Sequence, residues 1–200
     1  MTLHRPPADP AELVDFPARL MADAYPYARI HHVGHEPEWF CACGEHRFDP
    51  PPDSTGSFGT CYLAGHPLGA FIERFGDLGT VTRERVDAHR LSHLQVPTTR
   101  LADATDRRSL RFGVTGELSS GGDYPAAQAW AERLFQAGFG GIWYTDRHDP
   151  RGGLHSVALF AKPGLQKPAF VGAWSEPIGD DLLDDAEARF GLEVIPAGPL

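Results

Sequence analysis

No stretch of this 200-residue sequence is apolar for long enough to span a bilayer, and its opening "MTLHRPPADP" lacks the hydrophobic centre of a signal peptide. Those two absences predict a cytoplasmic protein without membrane contact. Cysteine is scarce too. Cys41, Cys43 and Cys61 are odd in number, and the first two stand too close to staple much, so no disulfide framework is expected. Positive charge is in deficit. A formal net charge of −9 repels a polyphosphate backbone and argues against broad nucleic-acid binding. A small phosphorylated ligand needs only two or three arginines in a pocket and is not excluded. A Walker lysine, a G-x-S-x-G nucleophile elbow, internal repeats and low-complexity blocks are also missing. "GFGGIWYTD" has glycines, but they follow a helix and precede a strand, whereas phosphate loops open a helix.

The remaining composition, with 42% hydrophobic and 22% charged residues, is that of a globular chain long enough to bury one core. "DPAELVDFPARLM" offers Asp9 as an N-cap and Pro10 at the first helical position, with Pro17 kinking or splitting the helix. "YARIHHV" alternates as a strand, residues 34–58 form a long irregular excursion, and "TCYLA" is a short buried strand. Pro67 starts a helix that Gly76 stops. "HRLSHLQVP", "TRLADAT", "GIWYTD" and "SVALFA" are strand-like. Between the second and third of these lies the best helix, in "YPAAQAWAERLFQAGFGG", capped by Asp123, entered at Pro125 and closed by Gly138. Its stripe of Ala127, Trp130, Ala131, Leu134 and Phe135 makes Trp130 a core residue. Strands interleaved with helices, without regular βαβ spacing, predict a mixed sheet. The expected organisation is a single domain over 1–200. Its core covers about 27–161, with an N-terminal helical segment 9–21 and a C-terminal acidic helix with a short strand at 180–195.

"HHVGHEPEWFCACGEH" gathers His31, His32, His35, Cys41, Cys43 and His46, all zinc-competent types. C-x-C is tighter than the usual C-x-x-C and no second cysteine pair follows, so the sequence assigns no metal. Cys41 and Cys43 read as small buried residues of a packed loop. Arg47, Tyr62 and Glu73 carry more. Singly they are a surface charge, a core aromatic and a solvated helix residue. Converging on one strand–helix unit, they describe a pocket for an anionic ligand with a sugar attached.

The order of these elements resembles the RES domain family, named for an arginine, a glutamate and a serine, which contains toxins of bacterial Xre/RES-type toxin–antitoxin systems. "YARI" resembles its opening strand, "HRFDPP" its R-F-x-P element, "GTCYLA" the strand bearing a tyrosine, and "LGAFIER" the helix bearing the glutamate. "RLADAT", "AQAWAERLFQAGFGGIWYTDR" and "SVALF" come next in family order, so that the likeness covers about Tyr27 to Ala161. Threonine stands where the family serine is expected, at Thr145, with Ser119 and Ser120 as rivals.

The resemblance implies an α+β fold of the ADP-ribosyltransferase-like kind, a compact mixed β-sheet core with flanking helices. It also implies cleavage of the nicotinamide–ribose N-glycosidic bond of NAD+, by phosphorolysis or hydrolysis. Glu73, Arg47, Tyr62 and Thr145 would be catalytic, and Arg29, Arg47, Tyr62 and Glu73 would hold NAD+. NAD+ is then a substrate, and no prosthetic group or metal is expected. An antitoxin of the Xre type is the implied protein partner, and a homo-oligomer is left open. A protein ADP-ribosyltransferase and a catalytically silent nucleotide- or partner-binding module remain as alternatives.

Overall fold

The structure is a computed structural model that describes residues 2–22, 25–54 and 56–196, so the outermost ends of the expected 1–200 domain lie outside the described residues. The chain begins with a 3-10 turn (Pro10–Leu13), then strands β1 (Ala18–Met21), β2 (Tyr27–His32), β3 (Trp39–Phe40) and β4 (Gly59–Ala64). Helix α1 (Pro67–Phe75), β5 (Thr80–Thr82), the short α2 (Arg83–Asp87), β6 (His89–Gln95) and β7 (Thr99–Asp103) come after it. Next are α3 (Glu117–Ser120), α4 (Tyr124–Gln136), β8 (Gly141–Thr145) and β9 (His155–Ala161). The chain closes with β10 (Gly164–Leu165), β11 (Gly172–Glu176), α5 (Asp180–Phe190) and β12 (Glu193–Ile195). Among the described residues no helix is long and apolar enough to cross a membrane.

Eight strands form one sheet in the order β1-β7-β8-β9-β4-β2-β6-β11, antiparallel throughout except for the parallel pair β7 and β8. Pairing is continuous from Gly59 to Ala64 between β4 and β9, and from Tyr27 to His32 between β2 and β6. Between β2 and β4 only Ala28 and Ala64 are in register. The sheet is therefore nearly split at its middle, and two layers of helices sit on either side of the split. One core packs Trp130, Ala131 and Leu134 of α4 on Ile142, Ala158 and Phe160 of β8 and β9. The other packs Phe71, Ile72 and Phe75 of α1, with Leu183 and Ala186 of α5, on Ala28, Ile30 and Leu91. Both lie on the same face of the sheet. The opposite face carries Cys61, Leu63, Val157 and Leu159 under Phe40 and Met21.

Local chemistry explains the helix positions. Asp123 Oδ1 accepts the Ala126 N–H at 3.1 Å, satisfying an amide that α4 itself cannot, and Gly138 ends that segment with φ +83°. At α1 the cap is His66, whose Nδ1 accepts the Leu68 N–H at 3.1 Å. Trp130 has no exposed surface and donates its indole N–H to the His4 carbonyl at 2.8 Å, so truncating it to alanine costs about 3–5 kcal/mol.

One expected element is not formed. Residues 9–21 are not a helical segment: Asp9 does cap, accepting the Ala11 N–H, but one 3-10 turn later Leu13 and Phe16 drop into the α4 core. Pro17 then releases the chain into β1, which pairs with β7 from Ala18 to Met21. Burial and edge pairing outweigh a helix that could run only three turns. The segment after Lys162 supplies β11, which pairs with β6 and so covers that edge of the sheet.

Candidate functional site

A cleft of about 290 Å³ opens where β2 and β4 part, walled by α1 on one side and by the N-terminus of α4 with the 41–49 loop on the other. Its floor is the helix-covered face of the sheet: Ala28, Tyr62, Ala64, Tyr144 and Ser156. Strand pleat decides which residues can be there, since side chains two apart share a face. Tyr62 pairs with Ala158, and Tyr144 with Ser156, which places both on the α4 side.

Glu73 projects from α1 into this cleft and is half-buried. Its Oε1 accepts the Arg147 backbone N–H at 3.0 Å. Burial pushes its carboxyl above the usual range, while His148, Arg147 and Arg47 pull it back toward the charged form. Arg47 is 8% exposed, donates Nη1 to the Gly121 carbonyl at 2.6 Å, and lies over the Tyr124 ring with Cζ 4.7 Å from its centroid. That contact spans the 41–49 loop and the start of α4, so Arg47 also ties one wall together. The Tyr62 hydroxyl accepts the Phe48 N–H at 2.8 Å and donates to Asp49 Oδ1 at 3.3 Å. Its oxygen is thereby held by the loop, and its ring lines the cleft.

Arg47, Tyr62 and Glu73 thus meet around one space. Arg29 borders it, yet its guanidinium does not enter. The pleat turns Arg29 to the other face of the sheet, where Nη1 donates to the Pro37 and Trp39 carbonyls, each at 2.9 Å, and touches Cys61 Sγ. Arg29 pins the excursion before β3 to the back of the sheet. Thr145 is also turned away. It pairs with His155, on the face where the Trp143 and His155 rings stack at 5.4 Å, and it borders a neighbouring depression of about 430 Å³. Of the rival serines, Ser119 lines both hollows and Ser120 only the second. The two cysteines expected to be buried are not: Cys41 is half-buried and Cys43 exposed, and all three cysteines are unpaired.

Three groups escaped the sequence reading. Arg147, just past β8, borders both hollows and carries an ion pair to Asp77. It sits in the polar loop "RHDPRGGLH", whose only signal is an arginine at the end of a buried strand. Ser156 is the serine on the cleft floor, and its even spacing from Ala158 and Phe160 could have placed it there. Asp146 is 1% exposed and neither of its oxygens makes a well-formed hydrogen bond. It packs against α1 so closely that a Cβ on Gly69 would lie 2.6 Å from Asp146 Oδ2. Burial foremost raises its carboxyl to about 7. The Ser156 hydroxyl favours the charged form, and the charges of Glu73 and Asp149 oppose it.

The cleft therefore offers the Glu73 carboxylate, the Arg47 and Arg147 guanidinium groups and the rings of Tyr62, Tyr124 and Tyr144 around a hollow open to solvent. Such a set can hold an anionic group on the arginines, stack a flat ring, and face a developing positive charge with Glu73. Comparisons with known proteins agree on its setting. The family model of the RES domain matches residues 26–178. A chain in the crystal structure of the M. tuberculosis MbcT–MbcA toxin–antitoxin complex is 15% identical in sequence and superposes with a TM-score of 0.63. The match covers 92% of this chain and 99% of that one, and at this identity it speaks to the fold alone, a mixed β-sheet core with flanking helices as expected from the sequence. No curated protein matches the chain.

Proposed function

The chain belongs to the RES domain family, and from that premise we propose that it cleaves the nicotinamide–ribose bond of NAD+. The observation that carries this reading is the meeting of Glu73 with Arg47 and Arg147 in one cleft. As the C1′–N bond breaks, its electron pair goes to the pyridinium nitrogen, and nicotinamide leaves neutral without needing a general acid. The ribose is left as an oxocarbenium-like cation, and a fixed carboxylate beside it lowers the barrier as in glycoside hydrolysis. Water or phosphate then adds at C1′ and gives up a proton.

Within this reading Glu73 holds the ribose hydroxyls and faces the cation. Arg47 and Arg147 take the pyrophosphate, with Arg147 in place of Arg29, which the resemblance implied would hold NAD+ beside Arg47. Tyr62 and Tyr144 pack against the nicotinamide and ribose. A volume of about 290 Å³ is at the lower end for small-molecule sites and suits the nicotinamide–ribose half of the dinucleotide. The adjoining depression, which shares Ser119, Tyr144 and Arg147, leaves room for the remainder. The silent-module alternative drew on a threonine in place of the family serine. It is disfavoured by a cleft floor that keeps a serine hydroxyl at Ser156.

The similarity to a chain from a toxin–antitoxin complex supports a toxin role, with an antitoxin protein as partner. Incubation of the purified protein with NAD+ labelled in its ADP-ribose half, with and without phosphate, tests the chemistry. Release of nicotinamide with label in small molecules is expected. Label on protein would select ADP-ribosyl transfer to a protein instead, and NAD+ bound without turnover would reject an enzyme.

A further inference from the structure

Of the six zinc-competent residues between His31 and His46, the fold separates one half from the other. His31 turns to the back of the sheet and bonds Ser92 Oγ at 2.7 Å, while the His32 and His35 rings lie against each other. Cys41, Cys43 and His46 come together, and a residue from outside the stretch, Asp49, joins them. One ligand atom from each of these four side chains lies within 4.8 Å of every other. The C-x-C-x-x-H-x-x-D spacing that looked too tight for a metal site brings four donors of the right types around one point.

We propose that Cys41, Cys43, His46 and Asp49 bind a zinc-class divalent cation in a four-coordinate structural site. The chemistry of the set is specific: two thiolates and an imidazole suit zinc, and a single carboxylate completes the tetrahedron without the oxygen-rich shell that calcium or magnesium takes. The two sulfurs stand 2.6 Å apart and Cys43 Sγ is 3.1 Å from Asp49 Oδ2. Ligands at about 2.0–2.3 Å from a central ion need separations of roughly 3.3–3.8 Å. A cation would therefore spread the sulfurs by about an ångström, within reach of the exposed Cys43.

The surroundings are already built. Cys41 is tied to β4 by a two-way backbone bridge with Thr60, at 2.9 and 2.7 Å. Gly44, with φ +77°, makes the turn between the cysteines and the histidine. Gln128 of α4, itself 4% exposed, donates to the Gly44 and His46 carbonyls at 2.8 and 3.0 Å. Asp49 is fully buried: its Oδ1 accepts from the Tyr62 hydroxyl, and its Oδ2, which accepts the His46 N–H at 3.2 Å and keeps a further lone pair, is the atom turned to the cysteines, so that both bonds fix its direction. Arg47 and Phe48 lie between His46 and Asp49 in the chain. An ion held there would lock the loop that presents Arg47 to the cleft.

The test uses the full chain, reduced, incubated with zinc and passed through a desalting column before metal analysis. About one zinc per chain is expected for the natural sequence, falling to less than about a tenth for the double variant Cys41→Ser/Cys43→Ser. His46→Ala, an exposed position that leaves the fold in place by circular dichroism, should bind zinc more weakly. Cobalt(II) in place of zinc should give a thiolate charge-transfer band and the intense visible absorption of a tetrahedral centre. Retention of less than about a tenth of an equivalent by the reduced natural sequence would overturn the proposal. So would equal retention by the double variant, a six-coordinate cobalt spectrum without the thiolate band, or a Cys41–Cys43 disulfide that persists under reductant.

Discussion

Replacing Asp146 by asparagine should stabilise the protein at alkaline pH and change little at acid pH. Asp146 is 1% exposed, and burial raises its carboxyl from 3.8 to about 7. Between those values the folded chain holds a proton that the unfolded chain has already released. Stability therefore falls as pH rises through that window, and levels off above it. A displacement of about three units at about 1.4 kcal/mol each gives a penalty of about 4 kcal/mol for the ionised form. Asparagine keeps the shape and carries no charge, so the penalty disappears. Urea unfolding of both proteins at about pH 4 and about pH 8.5 isolates the contribution of Asp146 and its coupling to Glu73 and Asp149, because titrating groups remote from it contribute equally to the two curves. The gain of Asp146→Asn over the natural sequence should grow between the two conditions by up to about 4 kcal/mol. A constant offset at both would refute the reasoning, since it would mean that Asp146 is charged in the folded state as readily as in the unfolded one.

Arg29→Met should cost about 3 kcal/mol of stability by stranding the Pro37 and Trp39 carbonyls, with KM for NAD+ near that of the natural sequence. Arg47→Met should instead raise KM; parallel titration calorimetry and unfolding of the two variants separate a pin from a clamp. Thr145→Ala should leave kcat for nicotinamide release close to the natural value, with any change confined to KM, since its side chain is turned to the other face from Tyr144 and Ser156 and borders only the adjoining depression. The acid limb of the rate profile should lie above 4.5, because burial raises Glu73 and the reaction needs its charged form, so activity is lost as pH falls through that raised value.

How much of this could be read beforehand varied with the kind of signal. The helix Tyr124–Gln136 was legible because cap, proline entry, apolar stripe and glycine stop all agree over thirteen residues. Strands β4, β8 and β9 were legible from their apolar runs. The first segment was not, although its cap is real, because the residues after that cap go to core burial and to pairing with β7. Of the residues that the sequence reading grouped as one site, Arg47, Tyr62 and Glu73 line a common cleft, whereas Arg29 and Thr145 turn their side chains to the other face of the sheet. Alternation alone shows that Arg29 opposes Ala28 and Ile30. What it does not show is which face of the sheet α1 covers, and that fixes which face holds the cleft. Arg147, Asp146 and the Cys41–Asp49 cluster depend on loops, whose course is set by contacts such as Gln128 with Gly44 that no local pattern announces.

The central claim is that a carboxylate on α1 faces a sugar cation held in the cleft. Nicotinamide released from NAD+ per unit time, measured for the natural sequence and for Glu73→Gln at equal concentration and neutral pH, tests it most directly. Steady release that falls about 100- to 1,000-fold in the variant is the predicted result. Equal release by the two proteins, or none by the natural sequence, would contradict it.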